Sequence, residues 1–422
     1  MKIDQLTTTR RRRRAAGFTL VELMVALALG MLLTVAMGYV YMTSKTAFSR
    51  QQQLTSIQQS VRTAFEFLSG DARMVGHMGC YTGLPVLPNC SGQFCNALSA
   101  TDIATNFAVG VEGYEYKNTT TDALTLSSSA PADETDTSKW ETNVSGAGIN
   151  TIPIAAIAGA GNGLTPGSDV LVIRTVAGRP VRLAATANTG ANQSTLSIES
   201  GAGGSALCAD GSTAKTSGFC PGDGTKLGSY GLIASCSRAR VFQVNTITAS
   251  TAPAPSTLTL AATMGADPQY TTEATEVFPM QTIVYYVRKS SSGTTTSLYR
   301  RIFDGDHAGG LEQELIEGVE SLQVRYGVDT TTPDADGVVD KYVAAKGATG
   351  TATDSVTDWS RVVAVRMGLL IRSTTPVASD LGALAATGVV NGVTVTYPTS
   401  GAKFDRRVFT TTLAVRNKIT YF

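Results

Sequence analysis

The run GFTLVELMVALALGMLLTVAMGYVYM, Gly17 to Met42, constrains this chain more than any other stretch. The 25 residues from Phe18 to Met42 hold one side chain that is charged at neutral pH, Glu22. As a helix at about 1.5 Å per residue they reach roughly 37 Å, enough to cross a bilayer with some tilt. Five arginines, Arg10 to Arg14, stand just ahead. Such a block keeps the N-terminus on the cytoplasmic side of an inner membrane, and the expectation is that the bulk of the chain lies in the periplasm or beyond.

An ordinary secretory signal places its small-residue cleavage site after the apolar core. Here Ala15, Ala16 and Gly17 precede the core, so a cut at that point keeps the apolar helix. Glu22 speaks against a plain single-pass anchor, because a carboxylate inside an apolar span is costly unless paired or neutralised. Cutting after Gly17 would leave a positive amine on Phe18, and Glu22 of a neighbouring copy could neutralise it in an apolar bundle. The plainer alternative sets Glu22 at headgroup level, where it is merely tolerated.

The rest of the chain has a different character. Residues 1–17 carry a net charge of +5 while the whole chain carries +1, so the remainder is slightly acidic at −4. An acidic head without basic clusters is a poor nucleic-acid binder, and no direct nucleic-acid contact is expected. Six cysteines, Cys80, Cys90, Cys95, Cys208, Cys220 and Cys236, all follow the apolar run, and none forms a CxxC pair. An even set beyond a membrane segment reads as disulfides in an oxidising compartment. Spacing favours Cys90–Cys95 and Cys208–Cys220 as local loops, which leaves Cys80–Cys236.

The motif G-F-T-L-V-E, with basic residues ahead and some twenty apolar residues behind, resembles the class III leader of type IV pilins and type II secretion pseudopilins. The resemblance implies that prepilin peptidase cuts between Gly17 and Phe18 and methylates the new Phe18 amine. Glu22 becomes the fifth mature residue, the assembly glutamate of the family. The leader of 17 residues is longer than in major pilins and suits a minor one.

Beyond Met42, Leu54, Ile57, Val61, Ala64 and Leu68 recur every three or four residues with Phe65 beside them, the stripe of an amphipathic helix. Membrane and amphipathic parts together predict one helix of about 55 residues, roughly 80 Å long, that ends by Gly76–Gly79. If it bends, Gly38 is the expected place. Cys80 to Ala100 reads as a loop. Short strands follow at Phe107–Tyr116, Ala123–Leu126, Ser168–Thr175, Thr195–Ile198, Gly231–Cys236 and Val241–Ile247. Ala/Gly/Ser/Thr-rich loops lie between them at 127–165, 184–194 and 199–229. A stretch at 248–275 reads as a divide between two subregions of the head; after it strands are denser, and the C-terminal RRVFTTTLAVRN reads as a strand inside the sheet. LEQELIE, Leu311 to Glu317, reads as a short helix or turn. The fold class is α+β: a long N-terminal pilin helix followed by a large, loop-rich, mostly antiparallel β head. The organisation is leader 1–17, helix 18–76 with 18–42 transmembrane, and head 77–422.

The C-terminal segments YYVR, LYRR, ELIEGVESLQVRYGVD, VVAVRMGLLIRS and RRVFTTTLAVRN extend the resemblance to the PilW group of minor pilins. That implies a low-copy subunit that primes assembly with other minor pilins and the major pilin, sits at or near the pilus tip, and meets a tip adhesin. Twitching, adhesion or DNA uptake would depend on it. A type II secretion pseudopilin, or a membrane-anchored periplasmic binding domain without a filament role, are the alternatives.

Two chemical readings remain. TPDADGVVDKYV places Asp334, Asp336 and Asp340 at positions 3, 5 and 9 of a calcium loop turning at Gly337, but Thr332 and Val343 stand where two further ligands belong. An Asp/Gly turn between strands is the plainer alternative, so no cofactor is expected beyond this calcium candidate. No GxSxG, HExxH or paired-carboxylate pattern is present, and no enzymatic activity is expected.

Overall fold

A computed structural model describes residues 17–81, 94–99, 101–117, 123–127, 132–143, 152–184, 193–199, 218–220, 228–236, 238–250, 254–263, 270, 275–307, 309–332, 336–347, 353–376 and 385–415. Two units divide at Leu54/Thr55. Helix α1 spans Leu20–Arg73, and a short α2 spans Ile154–Ala158.

The strands are, in order, β1 (Phe94–Asn96), β2 (Val111–Tyr116), β3 (Ala123–Thr125), β4 (Trp140–Glu141), β5 (Val170–Val176) and β6 (Val181–Arg182). There follow β7 (Thr195–Ile198), β8 (Tyr230–Ala234), β9 (Ala239–Thr248), β10 (Ser256–Leu260), β11 (Glu276–Lys289), β12 (Thr296–Phe303) and β13 (Leu311–Glu317). The last are β14 (Val319–Val328), β15 (Lys341–Val343), β16 (Val362–Arg372), β17 (Thr387–Val390), β18 (Val393–Thr396) and β19 (Arg406–Ala414).

In the first unit, Gly17 to Leu54, every apolar side chain from Phe18 to Met42 is solvent-exposed, Phe18 by 82%. A soluble domain cannot leave so long a face uncovered. The segment is long and apolar enough to cross a membrane, with a mean hydropathy of 2.3 over its best window.

The second unit is organised on β11. Its first residues pair with β6 and β8, its middle with β5, and its C-terminal half with β12. A fourteen-residue strand rich in Val, Ile, Tyr and Phe can serve so many partners because it is buried along most of its length. The main path runs β4-β2-β5-β11-β8-β9-β10-β7, and with β1, β6, β12 and β13 it makes a 12-stranded sheet. A second sheet has the order β15-β14-β16-β19, and a third the order β17-β18-β3. Pairing is antiparallel except between β1 and β9 and between β3 and β18.

The amphipathic stripe docks on the head. Ile57, Val61, Ala64, Leu68 and Ala72 are buried in one cluster with Leu171 of β5, Tyr285 of β11, Val324 of β14 and Met367 of β16. Spacings of three and four residues put these side chains on one helix face, and both larger sheets contribute to the surface that receives them.

Several sequence expectations are corrected here. Leu311–Glu317 is strand β13, not a helix or turn. Glu312 lies opposite Arg301 and Gln313 opposite Arg300, so the acidic residues of LEQELIE find cross-strand partners on β12. The expected loop Cys80–Ala100 contains β1, and the expected loop 127–165 contains β4 and α2. The stretch 248–275 contributes β10, which pairs with β7 and β9. The C-terminal strand β19 lies at a sheet edge, paired with β16 alone among the described strands.

Candidate functional site: the processing segment and the helix–head junction

Gly17 and Phe18 precede the first helical turn in extended chain, both exposed. Thr19 caps the helix: its hydroxyl accepts from the Glu22 amide at 3.2 Å, and its carbonyl accepts from the Leu23 amide at 3.1 Å. Thr19-x-x-Glu22 is the residue pattern of a capping box, and Glu22 sits in the first turn, where the helix dipole favours a carboxylate. Glu22 therefore has a local role that the sequence reading missed, although the spacing was legible. Glu22 is exposed and stands four residues after Phe18 in the chain.

At the other end of α1 a polar junction fixes the chain. Asp71 accepts from the Tyr285 hydroxyl, and Arg300 approaches the same carboxylate at 3.4 Å while its guanidinium lies 4.9 Å from the centre of the Phe67 ring. The Tyr285 hydroxyl is pushed well up from its usual value, first by burial and then by the Asp71 charge, so it stays a donor. Thr175 donates to the Met74 carbonyl at 2.9 Å. Gly76 and Gly79 follow with φ of 68° and 63°, a left-handed backbone that closes the helix at little cost for glycine. A Cβ on Gly79 would stand 2.8 Å from the Phe278 ring.

Cys80 is bonded to Cys236 across 156 residues, with Cα atoms 4.5 Å apart. The expected pairing Cys80–Cys236 is thus present. Cys95 and Cys220 are also disulfide-bonded, while Cys90 and Cys208 lie outside the described residues. His77 stacks edge-on against Phe278, with centroids 5.9 Å apart.

Behind the junction a buried ion pair was not foreseen. Arg174 of β5 meets Glu112 of β2 at 2.9 Å, each side chain 1% exposed, and the guanidinium also donates to the Val109 and Ile103 carbonyls. Tyr114 donates to the same Glu112 at 3.3 Å. Partners some sixty residues apart leave no local pattern to read.

Two of the calcium candidates, Asp336 and Asp340, are described, and each accepts backbone hydrogen bonds within the turn. Asp340 accepts from the Thr330 amide at 2.6 Å and from its hydroxyl at 2.8 Å, while Asp336 accepts from the Val338 amide at 2.8 Å. Asp329, absent from the sequence reading, accepts from the Gly337 amide at 2.6 Å. Asp334 lies outside the described residues. These carboxylates are engaged in closing the turn, and the hydrogen bonds from Thr330 hold the Asp340 carboxyl below its usual range.

The prokaryotic N-terminal methylation motif matches residues 12–38, which include Gly17, Phe18 and Glu22. A family model described as type IV pilus-assembly protein W matches residues 284–417, from the middle of β11 through β19. The C-terminal third of the chain is thus similar to the PilW group of type IV pilus-assembly proteins, and its N-terminus carries the prepilin methylation motif. No curated protein and no solved structure matches the chain.

Proposed function

We propose that the protein is a minor pilin that primes type IV pilus assembly and takes a place at or near the pilus tip. The observation that carries this is the exposed apolar segment Phe18–Met42, with its lone charged residue Glu22 in the first helical turn, close in sequence to Gly17 and Phe18. Before assembly, Arg10–Arg14 hold the N-terminus in the cytoplasm and the disulfide-bonded head lies in the periplasm. After cleavage the same apolar face passes from lipid to the helices of neighbouring subunits, where Glu22 meets the Phe18 amine of the next copy. Such repeated, non-closing contacts generate a filament. Partners are other minor pilins, the major pilin and, at the tip, an adhesin. Pilin domains are structural, and the role requires neither catalysis nor a resident cofactor. The match over 284–417 supports the pilus over the secretion reading.

The test is co-expression with prepilin peptidase. The wild-type chain should shorten by 17 residues and begin at methylated Phe18 in the mass spectrum of sheared pili. Gly17→Arg should abolish the mobility shift. The same shift in both chains would refute the assignment.

A further inference from the structure

Strand β19 pairs with β16 alone and β13 with β12 alone among the described strands, so each leaves one edge without a neighbour. The two edges differ in charge. β19 reads RRVFTTTLA, with two arginines and no acid, and β13 reads LEQELIE, with three glutamates and no base. Arg407, Glu314 and Glu317 are exposed. Behind β19, Arg366 of β16 donates to the Thr412 hydroxyl at 3.3 Å and lies 3.7 Å from the centre of the Tyr342 ring, without a carboxylate partner among the described residues. An open edge is a template for strand pairing, and like charges keep identical edges apart. Opposite charges do the reverse.

The backbone of each edge is set to pair. The Ser373 amide donates to the Asp405 carbonyl at 2.8 Å, and the Val415 amide to the Val363 carbonyl at 2.9 Å. Bonding residues alternate along an antiparallel ladder, so the odd-numbered residues of β19 face β16, and Thr410 and Thr412 turn their amides and carbonyls outward. On the other edge the Gly318 amide donates to the Thr296 carbonyl at 2.9 Å. The same alternation along β12 bonds Arg300 to Gln313 and Ile302 to Leu311, which leaves Glu312 and Glu314 turned outward.

The side chains match as well. On the core side of β19, Phe409 and Leu413 are half-buried against the cluster that receives α1. On the core side of β13, Leu315 packs on the same cluster, and Leu311 stands opposite Ile302 and is 39% exposed. Each edge therefore presents two apolar residues four positions apart. Antiparallel alignment of Thr410 with Glu314 and of Thr412 with Glu312 brings the outward backbone groups together. It also sets Phe409 beside Leu315, Thr411 beside Gln313 and Leu413 beside Leu311. Glu312 and Glu314 then share the outer face with Arg366 and the threonines. Pairing β19 with another β19 would instead bring the arginines of both copies into one ribbon.

We propose that β19 of one copy pairs antiparallel with β13 of a second copy, a head-to-tail contact in which one head adds a strand to the other. The contact leaves β13 free on the first copy and β19 free on the second, so it repeats without closing on a two-fold axis. It requires only the folded head and stands whether or not the apolar helix enters a filament. Disulfide trapping of the full chain in detergent tests it, with one tagged chain carrying Thr411→Cys and a second, differently tagged, carrying Gln313→Cys. Mild oxidation of the mixture should give the mixed dimer as the main product, because Cα atoms of a non-bonded antiparallel pair stand about 4.5 Å apart, within disulfide reach. Raising the ionic strength from about 0.05 M to about 0.5 M should cut the yield severalfold, since the charges involved are exposed. Glu314→Lys with Glu317→Lys, added to the Gln313→Cys chain, should cut it by about threefold or more. Thr410→Cys against Glu314→Cys serves if a first variant does not fold. Val389→Cys, on an exposed position of β17, should give little mixed dimer with either chain. Absence of the mixed dimer, a predominant homodimer of the Thr411→Cys chain, equal yield from Val389→Cys, or a yield indifferent to salt and to the lysines would overturn the proposal.

Discussion

At the scale of single residues, function and stability rest on different kinds of carboxylate. Glu22 is exposed at a helix start, and under the proposed function its value lies in what it would meet after assembly. Glu112 is buried against Arg174 and its value is in the fold. Removing one partner of such a pair leaves an uncompensated buried charge, so Glu112→Gln should destabilise the head by about 3–5 kcal/mol. Replacing both, Glu112→Leu with Arg174→Met, should recover much of that loss, because the desolvation cost of both charges disappears. Chemical denaturation of the three chains decides it, and a double variant no more stable than the single would show that the pair itself is worth more than its desolvation. Neither member could have been singled out from the sequence. Glu112 lies within the expected strand Phe107–Tyr116, and only the approach of β5 reveals its partner. Glu22, by contrast, announces itself by being the one charge in an apolar run.

At the scale of elements, α1 shows how one periodicity serves two environments. Its first half is apolar on every face and its second half on one stripe, and the change is visible in the letters. What receives the stripe is not visible. Asp71 finds Tyr285 a separation of 214 residues away, and the turn that follows is stapled by Cys80–Cys236. A disulfide closing so long a loop restricts the unfolded chain strongly, and in the chain-entropy account it is worth about 2–5 kcal/mol. The double variant Cys80→Ser with Cys236→Ser should therefore lose stability in that range while keeping the same far-UV spectrum. An unchanged denaturation midpoint would show that the junction is held by Asp71, Tyr285 and the packed stripe without the staple. Strand β13 carries the complementary lesson. Glu and Leu favour helix locally, but in LEQELIE the cross-strand partners Arg300 and Arg301 decide for strand.

At the scale of the whole molecule, the head buries phenols beside acids. Tyr114, Tyr285, Tyr286 and Tyr326 are all pushed well up, in each case by burial first and then by a carboxylate, Glu112, Asp71, Glu312 and Asp169 respectively. Tyr230 is pushed up to about 12 by burial and by Asp102 and Asp304. Unfolded tyrosine ionises near pH 10. A folded value raised above the unfolded one gives stability that is complete below about pH 10 and is lost as pH rises toward the folded values. Each such tyrosine should lower the unfolding free energy by about 1.4 kcal/mol per pH unit in that window. Melting temperature should fall steeply from about pH 10 upward, with phenolate absorbance of these buried groups appearing in the unfolding step. If they ionise near pH 10 while the head is still folded, this account of alkaline lability is wrong. What the sequence determined alone was whatever depends on local order along the chain: the apolar run and its single carboxylate, the methylation motif that includes it, the helical stripe, and most of the strands, because length, periodicity and the peptide group suffice for these. The tertiary structure decided which strands share a sheet, that the C-terminal strand is an edge among the described strands, that LEQELIE is extended, and which charges and phenols meet in the core. Those facts depend on contacts between residues tens to hundreds of positions apart, and such contacts are set by packing the whole chain at once.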